Sequence, residues 1–238
     1  LYGSILALLI ATPLAVGIAL YISHFANRRL AQGLGYLIDL LAAIPSVVYG
    51  LWGILVLAPF FTPTYFWLNE NLSWLPFFEG QVSATGRTMA TVAVVLAIMI
   101  LPIMAAIIRE VFLQTPRLHE EAALALGATR WEMIKMAVIP FGRPGIISAM
   151  MLGLGRALGE TMAVAMVLSP SSNVTLAILT SQNPNTIAAN IALNFPEAGG
   201  DYRSLLIGSG LALFLITMII NMIARYIISR RAAFSGAN

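Results

Sequence analysis

ATGRTMATVAVVLAIMILPIMAAII, residues Ala84–Ile108, carries no ionisable side chain after Arg87. A helix of ~20 mostly apolar residues crosses the hydrocarbon core of a bilayer, so this stretch predicts a membrane span. Four further stretches of similar length and character flank it, at about Leu1–Phe25, Leu34–Phe61, Ile146–Leu168 and Ser204–Ile228. Five such runs predict an all-α, polytopic membrane protein forming one transmembrane domain over residues 1–238. The bulk composition agrees, with 59% hydrophobic and 10% charged residues, against ~45–50% and ~25% in soluble domains. A disordered chain, a nucleic-acid-binding domain and an ordinary cytosolic enzyme are excluded. Cysteine is absent, which removes disulfides and thiolate chemistry. His24 and His119 lie far apart without ligand spacing, so no metal site is expected.

The charges set the topology. Arg28 and Arg29 follow the first span, Arg109, Arg117, Arg130, Lys135 and Arg143 lie between the third and fourth, and Arg225, Arg230 and Arg231 close the chain. These are 10 of the 13 basic residues, all on one side of the membrane. The opposite segments, 62–83 and 169–203, hold Glu70, Glu79, Glu197 and Asp201, with Arg203 as their one basic residue. Arg87, at the outer start of the third span, is the other exception. The basic side is therefore expected to be cytoplasmic, with segment 109–143 and the C-terminus inside and Leu1 outside. A multi-pass protein of the cell (plasma or inner) membrane follows. An odd number of spans starting outside leads us to expect a sixth, N-terminal helix preceding Leu1. Leu1–Phe25 lacks the basic n-region of a signal peptide. The outer segments carry Phe60, Phe61, Tyr65, Phe66, Trp67, Trp74, Phe77 and Phe78, which read as an interfacial aromatic belt.

Segment 109–143 is expected to be helical. Thr115-Pro116 marks a start, Glu120 and Glu121 place acids in the early turns, and Gly127 marks a stop. A second helix begins at Ala128–Glu132 and is expected to end at Pro140. A short helix exposing Ala122 and Ala123 suits a knob seated in a groove of another protein; a solvated linker has the same propensities. The chain's one lysine, Lys135, sits between Ile134 and Met136, so there is no Walker A loop. Any nucleotide belongs to a different subunit, and the chain is not itself an enzyme.

The fourth span contains Gly155-Arg156-Ala157-Leu158-Gly159-Glu160-Thr161. Ionisable residues inside a membrane are costly and usually functional. Arg156 and Glu160, four apart, share a face in a continuous helix, and Gly155 and Gly159 form a GxxxG pair that admits a neighbouring backbone. One reading is mutual neutralisation that locks helices together. The other is an anion path, because guanidinium is always charged and shaped for bidentate contact with an oxyanion. Pro45 and Ser46 interrupt the second span; with Thr161 they are candidate lining residues, although a plain proline kink also explains them. Asp39 reads as an interfacial acid.

Two motifs resemble a known family. Glu121-Ala122-Ala123-x3-Gly127, followed by Ile139-Pro140, resembles the EAA loop of type I (MetI-like) ABC importer permeases, with Ile139 where that family often has Leu. Gly-Leu-Gly-Arg156-Ala-Leu-Gly-Glu160-Thr-Met-Ala and Leu41–Gly50 resemble the C-type permease of phosphate-specific (Pst) ABC importers, over about Ile10 to Arg231. The resemblance implies a permease for inorganic phosphate with Arg156 and Glu160 in translocation. It also implies coupling through Glu121, Ala122, Ala123, Gly127 and Pro140 to a dimer of ATP-binding subunits that uses ATP and Mg. The implied partners are an A-type permease as heterodimer mate and an extracytoplasmic phosphate-binding protein. It implies the additional N-terminal helix as well, and no cofactor bound by this chain. The residues alone leave open an ABC permease for sulfate or molybdate, an ion-gradient-driven secondary carrier, or a sensory or structural membrane subunit.

Overall fold

A computed structural model describes residues 1–171 and 175–232, the last six as backbone only. Residues 172–174 of the outer segment 169–203, residues 233–238 at the C-terminus, and the side chains of Arg230 and Arg231 lie outside the described part. Five helical spans are long and apolar enough to cross a membrane: Tyr2–Phe25, Ser46–Leu72, Met89–Leu113, Arg130–Gly159 and Gly200–Tyr226. Most of their backbone groups are satisfied within the segment, as hydrocarbon requires.

The first span is α1 (Tyr2–Leu20) continued by a π turn, Tyr21–Phe25. The second differs from the expectation drawn from hydropathy. Leu34–Phe61 is not one helix: α2 (Arg28–Ala42) ends, the chain turns through Ala43–Pro45, and α3 (Ser46–Trp52), a π turn (Gly53–Leu57) and α4 (Ala58–Leu72) form the span. Pro45 is the cause, since the residue before a proline is pushed out of the helical region. α2 itself is amphipathic, and Asn27 caps it by accepting from the Leu30 amide at 2.9 Å. Hydropathy alone joins its apolar face to the span that follows.

The third span is α5 (Met89–Leu113). The helix α6 (Arg117–Ala125) and the single turn α7 (Arg130–Met133) follow it, and a π turn, Ile134–Val138, leads into α8 (Ile139–Gly159). Pro140 does not end a helix as expected. The Ile139 amide reaches back to the Ile134 carbonyl, and this wider turn resets the hydrogen-bond register. Pro140 then sits in a fresh first turn, where its missing N–H costs little. The fourth span also stops earlier than Leu168: α8 ends at Gly159, Glu160 and Thr161 leave the helix, and α9 (Met162–Val167) restarts it. A two-residue parallel pair, β1 (Pro170–Ser171) with β2 (Asn183–Pro184), precedes α10 (Ile187–Asn194) and the long α11 (Gly200–Ala232).

Packing divides the chain into two units, one of Leu1–Ile10, Ile44–Met99 and Gly155–Thr217, the other of Ala11–Ala43, Ile100–Leu154 and Met218 onward. In the first, Val92, Val95, Leu96 and Met99 of α5 are buried, and Tyr65 sits in a hydrophobic cluster with Val82 and Leu179. The Tyr65 hydroxyl meets Thr91 Oγ1 at 2.9 Å, and Thr91 donates to the Gly86 carbonyl at 2.6 Å. Tyr65 is thus a core residue at 5% exposure, not a member of the aromatic belt, whereas Phe60, Trp67 and Trp74 are exposed. In the second unit Ile100, Met104, Ile108 and Phe112 of α5 pack in a core that includes Ile134, Val138 and Ala149. Of the α5 span window 67% is buried, against 6% for α11.

Gly86 adopts φ +66°, and a Cβ there would collide with the Ala58 carbonyl and with Thr62 Oγ1. Gly86→Ala is expected to destabilise the protein by ~2–4 kcal/mol, read as a lower unfolding temperature in detergent. Gly17→Ala, where a Cβ meets nothing within 4 Å, is the control and should stay within ~0.5 kcal/mol.

Candidate functional site

The intramembrane charges of the first unit gather around the break between α8 and α9. The break comes directly after Gly159 and removes the shared face expected of Arg156 and Glu160. Arg156 stays on the last turn of α8, half-buried, while Glu160 lies outside the helix at 8% exposure. Glu160 Oε1 accepts the Ala163 amide at 3.0 Å. It therefore serves as a cap for α9, where a carboxylate also complements the positive end of the helix. No ion pair joins it to Arg156; among the described residues the one ion pair is His24–Glu120. Arg156 Nε is buried and has no hydrogen-bond partner.

The other end of α9 is held by a residue that sequence reasoning set aside as an exception. Arg87 Nη2 donates to the carbonyls of Met166 and Leu168, each at 3.1 Å. These are carbonyls at the end of α9, and a cation there matches the negative end of the helix. The signal for Arg87 was its position, one of two basic residues against the charge bias of its side. α9 is thus a six-residue helix with an acid on its N-terminus and an arginine on its C-terminus.

α3 packs on α9. Gly50 makes this possible: a Cβ there would lie 2.9 Å from Ala163 Cα and 3.1 Å from Met166 Sδ. Pro45 occupies the N-cap position of α3 and Ser46 its first helical position, so both sit at the start of a helix packed on α9. Thr161 is in the break itself, at φ −113° and ψ −59°. Tyr49 of α3, which sequence reasoning also missed, is buried. The GxxxG residues Gly155 and Gly159 are exposed, and a Cβ on either would meet nothing within 4 Å.

Towards the acidic ends of the spans, a cavity of about 750 Å³ is lined by Glu79, Gln81, Ser83, Thr180, Ser181 and Gln182 among others. It is shaped by the Val82–Thr180 bridge and by the Ser83 amide donating to the Leu179 carbonyl at 3.0 Å.

The second unit holds the EAA residues. α6 ends in a Schellman turn: the Gly127 amide reaches the Leu124 carbonyl at 3.0 Å and the Ala128 amide the Ala123 carbonyl at 3.2 Å. Gly127 has φ +86°, which only glycine adopts freely. Thr129 and Glu132 then form a capping box that starts α7. Ahead of these two devices, Glu121 and Ala122 of α6 and the following Leu126 are exposed and Ala123 is buried. Glu120 Oε1 lies 3.4 Å from His24 Nε2, tying α6 to the end of the first span. Pro140 is exposed, downstream of the π turn. No group of three or more His, Cys, Asp or Glu side chains that could hold a metal exists among the described residues.

The five apolar spans, the break after Gly159 and the exposed α6 are the architecture of a polytopic membrane protein. Residues 11–232 match the family described as the binding-protein-dependent transport system inner membrane component, and the chain belongs to that family. Within it, the phosphate transport system permease protein PstC 2 of Mycobacterium tuberculosis is 49% identical over 232 residues, covering 94% of this chain and 70% of that protein. PstC of Mycobacterium leprae is 46% identical over 235 residues, covering 94% and 71%. PstC of Xylella fastidiosa is 42% identical over 248 residues, covering 99% and 74%. Among solved structures, an inward-facing MetNI methionine ABC transporter chain superposes with a TM-score of 0.58 at 16% identity, covering 96% of this chain and 88% of that one. The fold is that of a MetI-like ABC importer permease, and the chain is a non-catalytic, multi-pass membrane subunit.

Arg87→Met removes both hydrogen bonds to the end of α9. The expected result is a local loss of about 2–3 kcal/mol, read as faster hydrogen exchange at the amides of Met162–Val167 while the α5 amides below Val95 keep their protection.

Proposed function

We propose that this chain forms half of the path by which an ATP-driven importer carries inorganic phosphate across the cell membrane. In this reading the basic side is cytoplasmic, an A-type permease is the heterodimer mate, and Gly155 and Gly159 face it. An extracytoplasmic binding protein delivers phosphate to the outer segments, where the cavity beside Gln81 and Thr180 receives it. A dimer of ATP-binding subunits, using ATP and Mg, grips α6 through Glu121, Ala122 and Ala123. Gly127 and Pro140 bound the gripped segment. Its movement drives alternating access.

The observation that carries the proposal is a half-buried Arg156 with an unpartnered Nε, in a chain whose relatives are named phosphate permeases. A guanidinium offers a phosphate two parallel N–H donors and a charge that never titrates away. Glu160 would repel the anion if it faced it; engaged on the Ala163 amide, it positions the break without cancelling Arg156. Pro45, Ser46 and Thr161 lie on the elements that meet there and are the proposed lining. Contact through one arginine keeps the ion weakly held, which lets it leave.

The test is uptake of labelled phosphate by the assembled transporter in proteoliposomes. Arg156→Ala is expected to lower uptake about 10–100-fold, the loss of charge-assisted hydrogen bonds, with subunit assembly retained. Arsenate should compete and sulfate should not, and uptake should require ATP and survive an ionophore. Undiminished uptake by an assembled Arg156→Ala transporter, or competition by sulfate alone, would sink the proposal.

A further inference from the structure

A second arginine at the membrane boundary has no assigned partner. Arg109 sits on α5 one turn before its end, half-buried, and its Nε is buried without a hydrogen-bond partner. Its guanidinium meets α2 at Gly35 through Nη1, with which a Cβ there would collide, Cζ lying 3.4 Å away. It opens on a cavity of about 340 Å³ that also receives Arg28, Gln32, Tyr36 and Asp39. Two guanidinium groups and one carboxylate leave this cavity with a net positive charge.

A second cavity, of about 370 Å³, shares Ile22 with the first and has an almost wholly apolar lining, including Gly17, Leu34, Leu37, Leu41 and Leu101. α2 walls both. It is amphipathic, carries Arg28 and Arg29 at its start, and exposes Tyr36 and Leu37. Such a helix lies in the interfacial plane of a bilayer. A cationic polar cavity beside an apolar one, with Ile22 lining both, has the two-part chemistry of one ligand class: a phosphodiester head and a hydrocarbon tail.

We propose that the α1–α2–α5 corner binds an anionic phospholipid, with its phosphate on Arg28 and Arg109 and an acyl chain in the cavity lined by Gly17 and Leu37. Gln32 offers the headgroup a neutral amide. Asp39 opposes the phosphate but accepts from a hydroxyl, which favours a glycerol headgroup over a second anionic group. Basic pockets between spans hold lipid headgroups on these terms. Free inorganic phosphate shares the head chemistry but has nothing to place in the apolar cavity.

The experiment is native mass spectrometry of the assembled transporter released from nanodiscs of phosphatidylcholine mixed with phosphatidylglycerol. Retention of phosphatidylglycerol over phosphatidylcholine is expected, falling about fivefold for each of Arg28→Gln and Arg109→Gln. Gly17→Leu fills the apolar cavity from a position with open space; it should cut retention with both arginines intact. That variant carries the test if an arginine variant fails to assemble. Equal retention of the two lipids, or retention unchanged by all three substitutions, overturns the proposal. Displacement of the lipid by excess inorganic phosphate assigns the arginines to the free ion and overturns it as well.

Discussion

A helix break bares amides and carbonyls that must find other partners, and the arrangement around α9 follows from how this chain meets that constraint. The Glu160 carboxylate takes the Ala163 amide at one end, and the Arg87 guanidinium takes the Met166 and Leu168 carbonyls at the other. Each charge also opposes the partial charge of the helix end it covers. The absence of a side chain at Gly50 lets α3 close over the segment. With these contacts a six-residue helix, far too short to persist alone, becomes a fixed wall.

The irregular turns elsewhere serve a similar end. π turns at Tyr21–Phe25, Gly53–Leu57 and Ile134–Val138 lie where spans bend, start or resume. The third lets Pro140 continue into a span without a lost hydrogen bond. Around α6 the solution differs, because that helix lies beyond the apolar runs: backbone ends are satisfied by a Schellman turn and a capping box. Its exposed residues include Leu118, Ala122 and Leu124, apolar groups set beside Arg117 and Glu121.

The spans were legible because a run of about 20 apolar residues leaves few alternatives, and Gly127 because a stop needing positive φ favours glycine. α2 was not, since averaged hydropathy cannot distinguish an amphipathic helix lying beside a span from the span itself. Pro45 held the clue but was read as a kink. The break at Glu160 was hidden for another reason. The spacing of Arg156 and Glu160 invites pairing only if the helix continues, and nothing local says it stops; Gly159 had been read as half of a GxxxG pair. Tyr65 looked like belt, and Arg87 like an anomaly in the charge count. Both owe their roles to partners distant in sequence, Thr91 for one and the end of α9 for the other.

An unbroken helix would have set Glu160 one turn from Arg156, close enough to neutralise it, and a neutral pair offers little to an anion. Diverting the carboxylate to a backbone amide changes both accounts at once. The acid gains about 1 kcal/mol as a cap and avoids standing as a bare buried charge, while the arginine keeps its full charge. The stretch from Gly155 to Ala163 therefore sets together a backbone discontinuity and a cation with no ion-pair partner among the described residues. Restoring the helix would forfeit the charge, and removing the acid would bare the backbone. The fold and the chemistry of this span are specified by the same few residues.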